Sequence, residues 1–138
     1  MRISKKTQYG LRAMVYLASI FDKGEICCLR EISKKENISF DYLEKIISRL
    51  EKNKLVKSKR GIKGGYSLAK SPKKIKVLEI TNVLEKTMAP VECITAEKEK
   101  KYYCPRKKFC KTITVWKKVQ DSLNSALNSI TLADLISK

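Results

Sequence analysis

A mostly α-helical fold with one small β-hairpin is predicted for this chain of 138 residues. Apolar residues recur at helical spacing through much of the chain, two short strand-like runs flank a glycine-rich tip, and a long helical stretch lies near the end. A helix followed directly by a basic hairpin is typical of a winged helix-turn-helix domain. We expect that domain at residues 1–87, a cysteine-containing loop at 88–111, and a dimerisation helix with a C-terminal segment at 112–138.

The charge of the chain is strongly unbalanced. It holds 31 Lys and Arg residues against 14 Asp and Glu, a formal net charge of +17. A lysine-rich composition explains part of this excess, but the cations crowd residues 52–76, which contain no acidic residue. Such a cluster favours a polyanionic partner, nucleic acid before membrane.

Several function classes are disfavoured by what the sequence lacks. No apolar run approaches the roughly 18 residues of a membrane span, and the N-terminus has no signal-peptide core, so we expect a cytoplasmic protein with no membrane partner. In that compartment five cysteines favour metal or redox chemistry over a disulfide framework. With no histidine, no glycine-rich phosphate loop and no evident nucleophile with its base, an enzyme is not expected.

The first two helices are predicted at Lys5–Phe21 and Leu29–Glu36, with a turn at Asp22–Glu25 between them. The first is apolar around more than one face, so we expect one face in the core and another against a partner subunit. Cys27 and Cys28 are interpreted as buried or partly buried packing residues.

The third helix is predicted to begin after Ser39, whose hydroxyl can accept from the free amide groups of the first turn. Its apolar face is expected to be buried and holds Leu43, Ile46, Ile47 and Leu50. Its opposite face is polar and holds Asp41, Glu44, Lys45, Ser48 and Lys52. We interpret this helix and the hairpin after it as the working surface of the protein.

The hairpin is predicted from strand-like runs at Leu55–Val56 and Tyr66–Leu68 around the tip Arg60–Gly65. The tip glycines allow the positive φ values that a tight ribbon end requires. A fourth helix is expected at Lys76–Lys86, from the helical spacing of its apolar residues.

Residues 88–111 lack a convincing period and contain Cys93, Cys104 and Cys110. One interpretation is a set of reduced thiols with no ligand role. The other is a metal centre, because thiolates select zinc or iron–sulfur clusters. The short cysteine knuckle of zinc sites is absent, whereas a loop around an iron–sulfur cluster can use wider gaps. Nearby cations would offset the negative charge of the thiolates.

A centre built on three cysteines lacks one ligand. The chain has no histidine, so imidazole is excluded. The candidates are an exogenous small molecule or one of Glu92, Glu97, Glu99, Gln8 and Asp22.

The last long helix is predicted at about Thr112–Asn128, with Thr131 capping a short helical turn after it. Apolar residues at offsets of three and four form a seam: Trp116, Val119, Leu123, Ala126, Leu127 and Ile130. Packing on the N-terminal helices is one explanation of the seam. A symmetric dimer is the stronger one, since one terminal helix cannot bury such a stripe alone.

Several stretches together resemble a known family. They are Met1–Ser4 with Tyr9–Met14, Ile38–Ser39 through Tyr42–Glu44 to Ser48–Leu50, Leu55–Val56, Arg60–Gly61 with Gly64–Tyr66, the cysteine trio, Trp116 and Ile130–Leu135. On these residues the chain is similar to the bacterial IscR/NsrR/CymR family of winged-helix transcription regulators. The resemblance covers essentially the whole chain, and its hairpin with a downstream cysteine trio is fairly specific.

The resemblance implies a homodimer that represses or activates genes according to the state of an iron–sulfur cluster, 2Fe-2S or 4Fe-4S, with Cys93, Cys104 and Cys110 as ligands. The chain departs from the pattern in three places. Ten residues separate the first two cysteines, Ile113 stands where some members have a ligand histidine, and Gln8 stands where nitric-oxide sensors have an acidic residue. The cluster type, the fourth ligand and the signal therefore stay open.

For binding double-stranded DNA, the resemblance implies helix contacts from Ser39, Asp41, Tyr42, Glu44 and Lys45. Lys45 can donate to guanine and Glu44 can accept from cytosine, while Ser39 and Tyr42 can reach phosphates. The wing tip is expected to carry Arg60 to the adjacent minor groove. The resulting hypothesis is a repressor and redox sensor. The alternatives are a cluster-free regulator that senses thiols or a partner, and a zinc-stabilised DNA binder.

Overall fold

Helices are the main secondary structure of the described residues, and an antiparallel hairpin interrupts them. The computed structural model describes residues 2–94 and 104–137. The elements are α1 (Lys5–Phe21), α2 (Leu29–Glu36), α3 (Phe40–Lys52), β1 (Val56–Lys59), β2 (Gly65–Leu68), α4 (Val77–Leu84), α5 (Ile113–Asn128) and α6 (Leu132–Ile136). Short 3₁₀ turns lie at Pro72–Lys74 and Lys107–Phe109. The predicted mostly helical class with a hairpin wing is confirmed.

Local capping explains where several helices begin. The Ser4 hydroxyl accepts from the Thr7 amide at the start of α1, and the Ser39 hydroxyl accepts from the Tyr42 amide at the start of α3, both at 3.3 Å. Thr131 and Asp134 bond each other's backbone amides at the start of α6. Each cap gives a free amide of the first turn a partner. The predicted caps at Ser39 and Thr131 are confirmed.

The core lies where α1, α3 and α4 meet. Its largest fully buried side chains include Met14, Leu17, Leu43, Ile46, Ile47, Leu50, Ile80, Leu84 and Leu132. Gly10 lies where α1 packs closely on α4 and α3. A Cβ atom there would lie 2.2 Å from Leu84 Cδ1 and 3.2 Å from Ile46 Cγ2. A side chain at this position would therefore separate α1 from its two neighbours.

The hairpin differs from its prediction in two details. Strand β1 begins at Val56 and continues to Lys59, where it pairs with Gly65. The predicted run at Leu55–Val56 was therefore too early and too short. Gly61 has the expected positive φ, at 116°. Gly64 is needed for a different reason, since a Cβ atom there would lie 2.1 Å from the Lys59 carbonyl oxygen.

Helix α4 is shorter than predicted, because Lys76 is its N-cap and Glu85 its C-cap. The Glu85 carboxylate accepts from the Ser4 amide at 2.6 Å, which ties the end of α4 to the start of α1. On the other side, the Val77 amide donates to Ile130 at 2.9 Å and the Leu132 amide donates to Ile75 at 3.0 Å. These bonds fix α6 against the start of α4.

Helix α5 buries none of its residues within the chain. Val115 and Trp116 are exposed, and Leu123 and Leu127 are half-buried. The helix begins at Ile113 with Thr112 as its N-cap, one residue later than predicted. Among the described residues, none of the helices has both the length and the apolar character to cross a bilayer.

Candidate nucleic-acid interface and cysteine segment

The N-terminal half of α3 carries the predicted helix contacts close together. Ser39 is the N-cap, and the next two turns hold Asp41, Tyr42, Glu44 and Lys45. Four of these residues are exposed, namely Ser39, Asp41, Glu44 and Lys45, while Tyr42 is half-buried. The apolar side of the same helix is fully buried, as predicted. The polar face of α3 is therefore presented to solvent on a rigid support.

Tyr42 is positioned by residues that the sequence analysis did not assign to the site. Its ring meets the Tyr9 ring edge to face, with centroids 5.8 Å apart and an interplanar angle of 88°. The Arg12 guanidinium carbon lies 5.6 Å from the Tyr9 centroid, and its Nε is 3.2 Å from Glu36 Oε1. In the sequence Tyr9 is one of many apolar residues of α1, and no local pattern there indicates its contact with Tyr42.

The hairpin tip carries Arg60, which is exposed next to Gly61. The exposed cations along the hairpin are Lys57, Lys59, Arg60 and Lys63. Ile62 stands among them with its side chain fully exposed, at a relative accessibility of 107%. A row of cations on a projecting ribbon can contact the phosphates on either side of a groove.

Cys27 joins the wing to the segment before α2. Its amide donates to the Tyr66 carbonyl at 3.0 Å, and the Tyr66 amide donates back to the Cys27 carbonyl at 2.7 Å. The Cys27 side chain is buried, and that burial, with the adjacent Glu31 carboxylate, raises the pKa of its thiol to about 12. The packing interpretation is confirmed for Cys27. For Cys28 it was wrong, because that side chain is exposed.

Cys93, Cys104 and Cys110 are half-buried free thiols. Cys110 Sγ lies 3.1 Å from Thr112 Oγ1. The Thr112 hydroxyl, and then the backbone amides at the start of α5, lower the pKa of the Cys110 thiol. Cysteine sulfur atoms are soft ligands of the kind that bind an iron–sulfur cluster or zinc.

The ligands are not assembled into a complete site by the described residues. Within residues 2–94 and 104–137, no three side chains of the His, Cys, Asp or Glu type are grouped to hold a metal ion. Of the candidate fourth ligands, Gln8, Asp22 and Glu92 are exposed. Gln8 Nε2 donates to the Ile3 carbonyl at 2.9 Å. Glu97 and Glu99 lie outside the described residues.

Comparison with known proteins identifies relatives along the whole chain. The family model Rrf2, described as an iron-dependent transcriptional regulator, matches residues 3–138. The HTH-type transcriptional regulator IscR of Escherichia coli O1:K1 is 35% identical over 136 residues, covering 99% of this chain and 80% of the relative.

Two solved structures are similar over nearly the whole chain. The T. potens IscR structure has a TM-score of 0.78 at 38% identity. The match covers 99% of this chain and 87% of the T. potens chain. CymR, the global cysteine regulator of B. subtilis, has a TM-score of 0.78 at 35% identity, covering 99% and 97%. These relatives are regulators of transcription and not enzymes.

Proposed function

The chain belongs to the Rrf2 family of transcriptional regulators, and from that premise we propose a homodimeric repressor that binds a DNA operator through α3 and the hairpin wing. The observation that carries the proposal is the exposed polar face of α3 beside a cationic wing. In this proposal, α3 contacts the major groove and its phosphates through Ser39, Asp41, Tyr42, Glu44 and Lys45. Arg60 approaches the adjacent minor groove. A cytoplasmic location follows from this role.

The proposed division of labour assigns DNA binding to residues 1–87, sensing to 88–111 and dimerisation to 112–138. The second chain would cover the α5 surface that carries Val115 and Trp116, since both are exposed and no residue of α5 is fully buried within its own chain. A two-fold dimer reads a roughly palindromic operator, with half-sites about one helical turn or a multiple of it apart.

For the sensing segment we propose an iron–sulfur cluster, 2Fe-2S or 4Fe-4S, held by Cys93, Cys104 and Cys110. When bound, such a cluster supplies a redox-sensitive and displaceable group to the segment. Ligation of the three thiols changes the position of 88–111 relative to α5, and so the spacing of the two α3 helices. This is a coupling between two binding sites and not a catalytic step.

A second candidate is a cluster-free regulator of the same fold, which responds to its thiols or to a partner protein. Two observations favour it: the described residues do not group three metal ligands, and CymR is as similar in fold as IscR. An intermediate candidate is a DNA-binding protein that zinc stabilises, with no iron–sulfur cluster.

One experiment separates these candidates. The protein is purified without oxygen, and its absorption spectrum is recorded with iron, sulfide and zinc analysis, beside Cys93→Ser and Cys28→Ser. The cluster proposal expects visible colour and iron in the wild type and in Cys28→Ser, with loss of both in Cys93→Ser. A colourless, iron-free wild type that cannot be reconstituted would refute it, and zinc without iron would support the intermediate candidate.

A further inference from the structure

A groove of about 450 Å³ lies between the first turn of α1 and the exposed side of α3. The charged residues that line it are Lys6, Lys45, Arg49 and Glu44, three cations against one carboxylate. Tyr42, Ile46 and Ser48 complete the lining. Lys45 and Glu44 belong to the face proposed to contact bases. Lys6 and Arg49 have no part in that proposal, and Lys6 comes from a different helix.

The close crossing of α1 and α3 brings Lys6 to this place. Gly10 lets the backbone of α1 approach Ile46 of α3, where a Cβ atom would lie 3.2 Å from Ile46 Cγ2. Lys6 is one helical turn before Gly10, and both Tyr42 and Arg49 are about one turn from Ile46, so all three lie close to this crossing and line the same groove. Arg49 follows Tyr42 by two turns and therefore shares its side of α3.

The charges of the groove are not neutralised by ion pairs among the described residues. Within residues 2–94 and 104–137, ion pairs join Arg12 to Glu36 and Lys70 to Glu79. The side chains of Lys6, Lys45 and Arg49 belong to neither pair. All three are at least partly accessible, so an anion in the groove can reach them from solvent.

The placement of Lys6 is unfavourable for the isolated chain. The first turn of α1 contains Lys5 and Lys6 and no acidic residue. A cation there opposes the helix dipole, whose positive end lies at the N-terminus. An anion bound beside Lys6 would interact favourably with the positive end of the helix dipole, where the lysine alone is repelled.

We infer that this groove seats a phosphate of the DNA backbone, with Lys6 and Arg49 as its cationic donors. The inference rests on the proposed DNA-binding function and adds a contact that joins α1 to the interface. Phosphate contacts fix the orientation of a protein on the duplex and carry no sequence information. Lys6 and Arg49 are thus positioning residues for α3, and Glu44 at the rim remains a base-selecting residue.

The test compares wild type with Lys6→Gln, Arg49→Gln and the control Lys23→Gln, which removes an exposed cation in the turn just beyond the opposite end of α1. Binding is measured against a duplex of random sequence and a duplex that wild type has selected from a random pool, over a range of salt concentrations. Lys6→Gln and Arg49→Gln should each weaken binding by about tenfold for each chain bound, since each removes a charge-assisted hydrogen bond. The plot of log K against log salt should become shallower by about one for each chain bound.

The loss should be the same on both duplexes, and the melting temperature of Lys6→Gln should equal or exceed that of wild type. Lys23→Gln should bind as wild type does. Lys6→Gln affinity equal to that of Lys23→Gln, or a loss confined to the selected duplex, would overturn the inference while DNA binding itself stands. A wild type that selects no sequence from the pool and does not bind the random duplex would overturn the proposed function and this inference together.

Discussion

Cys27 and Cys28 are neighbours in the chain with opposite environments. Cys27 is buried beside Glu31 with the pKa of its thiol raised to about 12, whereas Cys28 is exposed. The unfolded chain releases the Cys27 proton near its ordinary pKa of 9.0, so between about pH 9 and 12 the unfolded state binds fewer protons than the folded state. This contribution to stability is therefore complete below pH 9 and is lost as the pH rises.

Urea unfolding at pH 8 and pH 10 measures this loss. The free energy of unfolding of wild type should fall by about 1 kcal/mol more than that of Cys27→Ala over this interval. Cys28→Ala is the control and should follow wild type. The pKa of Tyr16 is also raised, by burial, by Glu31 and by Cys27, so part of the difference between wild type and Cys27→Ala arises through Tyr16. Parallel losses in wild type and Cys27→Ala would show that the thiol does not titrate as described.

Arg60 at the wing tip provides a second prediction at this scale. Arg60→Ala should weaken operator binding and make the dependence of log K on log salt shallower by about one for each chain bound. Arg60→Lys is the control, since it keeps the charge and should restore much of the salt slope while losing the planar fork of donors. Unchanged affinity and slope in Arg60→Ala would remove this residue from the interface.

At the scale of single elements, the N-cap of α3 combines two roles that substitution can separate. Ser39→Ala should destabilise the protein by about 1 kcal/mol, because the Tyr42 amide loses its partner. Ser39→Asp should restore stability, since aspartate caps as well and favours the helix dipole. If Ser39 also contacts a phosphate, Ser39→Asp will still bind DNA weakly, as its carboxylate repels the backbone.

Urea denaturation and DNA titration of the same samples give the two readouts. Recovery of both stability and affinity in Ser39→Asp would limit Ser39 to a capping role. Loss of neither in Ser39→Ala would contradict both roles.

Elements governed by local chemistry were predictable from the sequence. Helices α1 and α2 match their predicted ends, because apolar spacing and neighbouring turn residues define them. Strand β1 was less predictable. Its partner β2 is held by the bond pair to Cys27, a contact across nearly forty residues of chain that no local pattern announces.

The candidate site divides in the same way. The polar face of α3 followed from helical spacing within one segment. The participation of Lys6, Tyr9 and Arg12 depends on how α1 crosses α3, and that crossing depends on the missing side chain of Gly10. A glycine inside a helix reads from sequence only as a weak helix former, so the close approach became visible only in the fold.

At the scale of the whole molecule, α5 yields a prediction about assembly. Trp116→Glu should shift the protein from dimer to monomer, because a carboxylate would be buried at the proposed seam. Lys117→Glu adds the same side chain to the adjacent exposed position and should remain dimeric. Sedimentation equilibrium reports the mass, and circular dichroism verifies that both variants keep their helices. Dimers in both variants would place the interface elsewhere.

The reciprocal backbone bonds between Cys27 and Tyr66 have a consequence for DNA itself. They tie the base of the wing to the segment that leads into α2, and this limits how far the wing can move relative to α3. Because the two contact points of the protein have little freedom to move, the duplex must deform to meet both of them. We therefore expect operator preferences at base pairs that no side chain contacts, set by the energy of bending the helix axis and narrowing the minor groove between the two contact points.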